Sequence, residues 1–199
     1  AEQSGMIHKI GRFVLEEVCR FIASDRFAKS GLEYIEVNLS VIQCMSSELA
    51  GDVEEIMNKY NISPEQLNLE ITETAAAYAQ NTMMRNIENL TDNGILFSLD
   101  DFGTGYSNMK RIASMPFAIV KLDKTFTEMN DSEKMLKVVK NTISMVKDMN
   151  MRIVVEGVET KESFEAFSEL GVDYIQGYYF SKPLPLKKFI AEVESVNAC

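Results

Sequence analysis

A length of 199 residues is enough for one domain with a sizeable hydrophobic core. The net charge of -10 argues against a surface that binds phosphate backbones non-specifically, so we expect no DNA or RNA partner. No apolar run reaches the roughly 20 residues that a membrane helix needs, so we expect no membrane contact from this segment. The single histidine, His8, argues strongly against His-based zinc sites and a Ser-His-Asp triad.

The three cysteines do not have the spacing of a disulfide framework. Cys19, Cys44 and Cys199 are odd in number and lie far apart in the sequence. This usage is typical of packing residues in a reducing compartment, so we expect a cytoplasmic protein.

The chain alternates predicted strands and helices, with no low-complexity linker between them. Apolar and β-branched runs predict strands at residues 34–38, 67–71, 95–99, 117–122, 152–155 and 172–176. Apolar residues at helical spacing predict helices at 6–23, 46–60, 78–93, 106–114, 132–149, 160–170 and 186–197. This alternation indicates an α/β fold of parallel strands and crossover helices, within a single domain over residues 1–199.

Two adjacent carboxylates, Asp100 and Asp101, end the third predicted strand and lead directly into Phe102-Gly103-Thr104-Gly105. Like charges at the end of a buried strand repel each other and lose hydration, unless a cation or water offsets the cost. The glycines behind them allow a tight turn and a close approach of the backbone to a ligand. Hard oxygen donors on a rigid strand therefore favour one or two divalent metal ions.

Polar residues also mark the ends of the other predicted strands. At or just past a strand end lie Asn38, Glu70, Asp100 with Asp101, Lys121, Glu156 and Gln176. A (β/α)8 barrel brings all such positions to one face, where active sites lie. Any one of these residues by itself would be interpreted as a cap or a solvated turn residue. Six successive strand ends together favour an active-site face.

These residues belong to motifs that resemble the successive signatures of the EAL domain family. In the family's order and spacing, the motifs are Asn38-Leu39-Ser40, Glu70-Ile71-Thr72-Glu73, Asp100-Asp101-Phe102-Gly103-Thr104-Gly105-Tyr106-Ser107, Lys121-Leu122-Asp123, Glu156-Gly157-Val158-Glu159-Thr160 and Gln176-Gly177-Tyr178. The resemblance implies a modified (β/α)8, TIM-like barrel. It also implies a cyclic di-GMP phosphodiesterase, which linearises this bacterial messenger to pGpG with two Mg2+ or Mn2+ ions.

The resemblance assigns roles to the motif residues. The metal ligands would be Asn38, Glu70, Asp100 and Glu156, with Asp101 serving the second ion. The residues that act in catalysis would be Lys121, Glu156 and Gln176.

Lys121 would lie near the attacking water, either as a cation that organises it or as a proton acceptor. A lysine accepts a proton only when it has lost one, which neighbouring metal ions favour. Gln176 would orient the water or a metal-bound ligand, and Glu73 would anchor the loop of residues 102–108. Asp123 and Glu159 are interpreted either as groups that support the metal ligands or as surface and cap carboxylates.

The sequence departs from the family pattern at the name motif. Glu-Ala-Leu lies on an N-terminal strand of the family's barrel and supplies a metal-binding glutamate, and this sequence contains no such tripeptide. With six predicted strands rather than eight, we expect an N-terminally truncated, incomplete barrel with an open or self-associated edge. For this chain alone we expect weak metal binding and little or no turnover. By resemblance, we also expect a homodimer.

Two other functions stay open. A non-catalytic module that binds cyclic di-GMP or another protein would use the same fold, although such domains usually lack several of the metal ligands that are present here. An unrelated barrel enzyme could use Lys121 as a Schiff-base nucleophile, but such an enzyme has no need for the aspartate pair. Calorimetry with the nucleotide and Ca2+ tests the first alternative, and borohydride trapping tests the second.

Overall fold

The computed structural model describes residues 5–105, 109–128 and 133–196. Six strands follow one another in chain order across the sheet: β1 Ile35–Asn38, β2 Leu67–Thr72, β3 Leu96–Phe102, β4 Ile119–Leu122, β5 Arg152–Val155 and β6 Tyr174–Ile175. β1 pairs with β2, and β3 to β6 pair in succession, all in parallel. The six predicted strands and the α/β class are confirmed.

Helices connect these strands. In the described residues they are α1 Ile7–Ile22, α2 Asp25–Ser30, α3 Val41–Cys44, α4 Leu49–Tyr60, α5 Glu73–Ala77, α6 Asn81–Asp92, α7 Met109–Ser114, α8 Thr125–Glu128, α9 Glu133–Asp148, α10 Lys161–Glu169 and α11 Leu186–Val196, with a 3-10 turn at Pro64–Gln66. Residues 106–108, 132 and 197 of the predicted helices lie outside the described residues.

Four short helices, α2, α3, α5 and α8, are not predicted by the sequence pattern. Each has four to six residues, which is less than two turns and too short to show helical periodicity. Local capping starts three of them, because the side chains of Ser24, Ser40 and Thr72 each accept a backbone N–H from the first turn.

The described residues divide into two compact units, of which the first contains β1, β2 as far as Ile71, and helices α1 to α4, α6 and α11. β2 is buried along its length from Leu67 to Ile71, as expected for a parallel strand that is covered on both faces. α1 packs against α4, and Arg12 forms ion pairs with Asp52 and Glu55 across this contact.

The second unit contains β3 from Ser98 onwards, β4, β5, β6 and helices α5 and α7 to α10. All four residues of β4 are buried, and so are Ile153, Val154 and Val155 of β5. Such continuous burial fixes the strand ends that carry Lys121 and Glu156, because neither strand can shift without exposing apolar side chains. The single domain over residues 1–199 stays a prediction.

Cys19 and Cys44 are free and fully buried. Burial raises the pKa of Cys19 to about 11 and the pKa of Cys44 to about 12. Both thiols are therefore protonated packing groups at neutral pH, and Cys199 lies outside the described residues. Among the described helices, none is long and apolar enough to cross a membrane.

Candidate metal centre

The aspartate pair lies in a bulge of β3. Leu99 pairs with Val120 and Phe102 pairs with Leu122, so Asp100 and Asp101 together stand opposite the single residue Lys121. Asp101 has a φ of 55°, a left-handed conformation that a non-glycine residue adopts at a cost. A bulge that carries such a residue redirects the side chains around it.

The bulge corrects one prediction, since the sequence pattern ends the third strand at Leu99. β3 continues to Phe102, so the aspartates lie within the strand rather than after it. Phe97, Ser98 and Leu99 are all buried, so this strand has no alternation of buried and exposed residues from which an inserted residue could be predicted.

Three carboxylates of the second unit converge at this bulge. Asp100, Asp101 and Glu156 each offer one oxygen, and these oxygens all lie within 4.8 Å of one another. Lys121 Nζ lies 2.7 Å from Glu156 Oε1 and 3.6 Å from Asp100 Oδ1, and the lysine side chain is only 5% exposed. The structure therefore brings together four of the predicted site residues.

The charges of this cluster do not balance. One ammonium group faces three carboxylates, and burial together with the neighbouring Asp100 raises the pKa of Asp101. Burial also raises the pKa of Glu156, although the hydrogen bond from Lys121 opposes this shift. Asp100 Oδ1 is buried and accepts no hydrogen bond from the described residues. A divalent cation would supply both the missing charge and a partner for this oxygen, so the donor set fits a metal ion.

Glu73 contacts the loop that follows the aspartates, as its predicted role requires. It is the first residue of α5, it is 2% exposed, and its Oε2 accepts the backbone N–H of Gly103 at 2.9 Å. Gly103 has a φ of 99°, which favours glycine. Tyr106 and Ser107, the end of this motif, lie outside the described residues.

Asn38 and Glu70 belong to the first unit. They are register partners, Asn38 as the last residue of β1 and Glu70 within β2, and the N–H of Leu39 donates to the carbonyl oxygen of Glu70 at 2.8 Å. Asn38 is exposed, whereas Glu70 is 4% exposed. The structure thus places them side by side on paired strands, Glu70 two residues before the end of β2 rather than at its end, and their role as metal ligands stays a prediction.

The other three predicted residues, Gln176, Asp123 and Glu159, are not among the four side chains that converge. Gln176 follows β6 with an exposed side chain, and its backbone bonds to Val155 and Val158 on either side of Glu156. Asp123 Oδ1 accepts the N–H of Thr125 at 2.9 Å, which is the cap geometry considered from the sequence. Glu159 is exposed.

Comparison with known proteins identifies the family. The sequence pattern of the EAL domain matches residues 1–183. This chain belongs to the EAL domain family. The family expected from the resemblance is accordingly confirmed.

The EAL domain is similar to parts of larger signalling proteins. It is 36% identical over 197 residues to the oxygen sensor protein DosP of Escherichia coli, covering 98% of this chain and 25% of DosP. It is 31% identical over 194 residues to the bifunctional diguanylate cyclase/cyclic di-GMP phosphodiesterase MucR of Pseudomonas aeruginosa, covering 97% of this chain and 28% of MucR. The chain thus spans about a quarter of the length of these curated relatives.

A solved structure of the MucR phosphodiesterase in complex with c-di-GMP has the same fold. The two superpose with a TM-score of 0.87 at 31% identity, covering 95% of this chain and 77% of the other. This likeness confirms the predicted fold class, the EAL-type barrel.

Proposed function

We propose that this EAL domain hydrolyses cyclic di-GMP to linear pGpG in a reaction that depends on Mg2+ or Mn2+. The observation that carries the proposal is the cluster of Asp100, Asp101 and Glu156 around the buried ammonium of Lys121. The similarity to MucR, which is named a cyclic di-GMP phosphodiesterase, supports the substrate.

The carboxylates Asp100, Asp101 and Glu156 would hold the metal, and the resemblance adds Asn38 and Glu70 to make a site for two ions. When bound, divalent ions supply positive charge at the phosphodiester and lower the pKa of a bound water. Glu73 contributes by fixing the N–H of Gly103, which keeps the loop after the aspartates in place.

Lys121 has two successive tasks in this proposal. As an ammonium group it donates to Glu156 Oε1 at 2.7 Å and holds that carboxylate beside Asp100. After losing a proton it would accept one from the attacking water, and Gln176 would orient this water. The water oxygen would then bond to phosphorus as the bond from phosphorus to one ribose oxygen breaks, and that ribose oxygen would take a proton from solvent to become a hydroxyl, which gives the linear product.

The remaining proposals concern the setting of the domain. We propose a homodimer by resemblance to the family and a cytoplasmic location, which the free thiols Cys19 and Cys44 support. The second candidate function is a non-catalytic module of the same fold that binds cyclic di-GMP.

The test is turnover of cyclic di-GMP at high chain concentration with Mn2+, followed by chromatography of pGpG. We expect slow turnover by this chain, because one glutamate ligand of the family is absent from its sequence. Asp100→Asn should lower the rate at least about tenfold, since it removes a charged ligand without changing its shape. Asp148→Asn, at an exposed position of α9, is the control and should leave the rate unchanged.

Nucleotide binding separates the two candidates. Calorimetry with cyclic di-GMP and Ca2+ measures affinity without requiring turnover. Binding without any pGpG formation under Mn2+ would support the binding module as the function of this chain. An unchanged rate in Asp100→Asn would reject the acidic cluster as the site.

A further inference from the structure

The short segment that follows Lys121 touches the loops behind two of the clustered carboxylates. This segment, Lys124–Glu128, comprises α8 and the residue before it, and we call it the α8 segment. The first contact is with Gly103, two residues after Asp101. A methyl group built on Gly103 would come within 2.2 Å of Phe126 Cε2, so the buried ring of Phe126 lies directly against this backbone.

The second contact is with Gly157, the residue after Glu156. A methyl group there would come within 2.4 Å of Lys124 Cβ and 3.5 Å of Thr127 Oγ1. Thr127 Oγ1 donates to the carbonyl oxygen of Lys124 at 2.7 Å and also lies 3.3 Å from the carbonyl oxygen of Gly157, so the hydroxyl links the α8 segment to this glycine. With a φ of 70°, Gly157 adopts a left-handed turn that leaves no room for a side chain on this side.

The two residues that lead into the α8 segment, Leu122 and Asp123, are hydrogen-bonded to the neighbouring chain on both sides. The N–H of Asp123 donates to the carbonyl of Phe102 at 3.3 Å, and the N–H of Glu156 donates to the carbonyl of Leu122 at 3.0 Å. Asp123 then caps α8 through the N–H of Thr125. The segment therefore has a defined position from which its side chains reach both glycines.

We propose that Phe126 and Thr127 are positioning residues of the metal centre: by packing against Gly103 and Gly157 they set the distance between Asp101 and Glu156. This inference rests on the proposed function, because it takes the acidic cluster to be the metal site. Neither residue is one of the clustered carboxylates that would hold the metal. Both act through the backbone that carries the ligands, in the way that groups behind metal ligands commonly tune affinity.

Phe126 carries the larger share of this role. A ring is rigid and fills the space over Gly103 completely, so its removal leaves a gap into which the loop can move. The loop keeps its hydrogen bond from the Gly103 N–H to Glu73, so we expect a shifted carboxylate rather than an unfolded chain. Metal affinity is the property that such a shift changes first.

The experiment measures Mn2+ affinity by calorimetry and stability by urea unfolding in the same variants. Phe126→Ala should weaken Mn2+ binding about tenfold, and Phe126→Leu should recover part of the loss. Phe167→Ala is the matched control, since Phe167 is a buried phenylalanine of α10 in the same unit and the atoms nearest to both glycines come from the α8 segment. It should lose stability without losing Mn2+ affinity.

Thr127 provides a second test that does not depend on a large cavity. Thr127→Val keeps the shape of the side chain and removes the hydroxyl near Gly157, so Mn2+ binding should weaken about threefold. Thr127→Ser keeps the hydroxyl and should bind Mn2+ as tightly as the native chain does. If Phe126→Ala does not fold, the Thr127 pair decides the question.

The outcomes separate the inference from the function on which it rests. Mn2+ binding by the native chain that is equally strong in Phe126→Ala and Thr127→Val would overturn the positioning role and leave the metal site standing. An equal loss of affinity in Phe167→Ala would also overturn it, because the effect would then be one of general stability. A native chain that binds no Mn2+ would remove the metal site itself, and the inference with it.

Discussion

Lys121 is the residue on which the metal-free site depends. It is 4% exposed and lies between Glu156 and Asp100, which are themselves largely buried. A buried carboxylate that loses its cation keeps the cost of desolvation without the compensating attraction. The same lysine is therefore needed to hold the carboxylates when no metal is bound, whatever it contributes to proton transfer.

Substitution of Lys121 by methionine tests this dependence. The side chain keeps its length and loses its charge, so the free energy of unfolding in EDTA should fall by about 2–3 kcal/mol. Saturating Mn2+ should recover part of the loss, because the metal replaces the missing positive charge. Urea unfolding with and without Mn2+ measures both effects.

Lys161 offers the control for this substitution. It pairs with Glu165 at 3.3 Å on the surface of α10, where the two side chains are 68% and 57% exposed. Lys161→Met should change stability by no more than about 0.5 kcal/mol. The interpretation of Lys121 is wrong if Lys121→Met lowers the free energy of unfolding no more than Lys161→Met does. It is also wrong if Mn2+ does not reduce the difference in stability between Lys121→Met and the native chain.

The elements of the fold follow from the sequence where burial is continuous. β5 matches its predicted residues 152–155, and β4 is only two residues shorter than the run at 117–122. The bulge in β3 could not be placed in the same way, because it depends on which residues of β4 face the inserted residue. Pairing across strands is a tertiary property, and a search for apolar runs does not contain it.

In the candidate site, too, some features can be predicted from the sequence and others depend on tertiary contacts. The strand-end pattern brings Asp100, Lys121 and Glu156 to one place, as predicted. The support behind them comes from Gly103 and Gly157, whose role depends on left-handed turns and close packing. These contacts join residues more than 20 positions apart, so no local pattern shows them.

The bulge makes a specific prediction about Asp101. Asparagine tolerates the left-handed conformation and has nearly the same shape, but it carries no charge to be repelled by Asp100. In EDTA, Asp101→Asn should therefore be more stable than the native chain by about 0.5 kcal/mol, a small gain because Asp101 is only partly buried. Its Mn2+ affinity should fall, since a charged ligand is lost.

Asp101→Ala is the comparison variant, because it also removes the charge but fits the left-handed conformation poorly. It should be less stable than Asp101→Asn by about 1 kcal/mol, with a similar loss of Mn2+ affinity. Urea unfolding in EDTA and calorimetry with Mn2+ provide both measurements. If Asp101→Asn is less stable than the native chain, the carboxylate makes a stabilising contact in the metal-free chain. That result would contradict the proposed repulsion between Asp100 and Asp101.

At the scale of the whole molecule, the net charge of -10 makes the chain a weak attractor of an anionic nucleotide. A cyclic dinucleotide is itself negatively charged, so binding at the acidic cluster requires cations. We therefore expect the metal ion to bind to the chain before the nucleotide binds. Its effect should be strongest in the second unit, which contains Asp100, Asp101 and Glu156.

Hydrogen exchange with and without Mn2+ tests where metal acts, one peptide at a time. Bound Mn2+ makes local unfolding rarer in the segments that hold it, because the metal must dissociate before those segments can open. Hydrogen exchange should therefore slow in residues 98–105, 119–128 and 152–158. Slower exchange at the ends of β1 and β2 as well would support Asn38 and Glu70 as ligands. Exchange that slows only in the second unit would exclude both residues and leave Asp100, Asp101 and Glu156 as the metal ligands of this chain. The Asp100→Asn variant is the reference, since in either case its response to Mn2+ should be much smaller than that of the native chain.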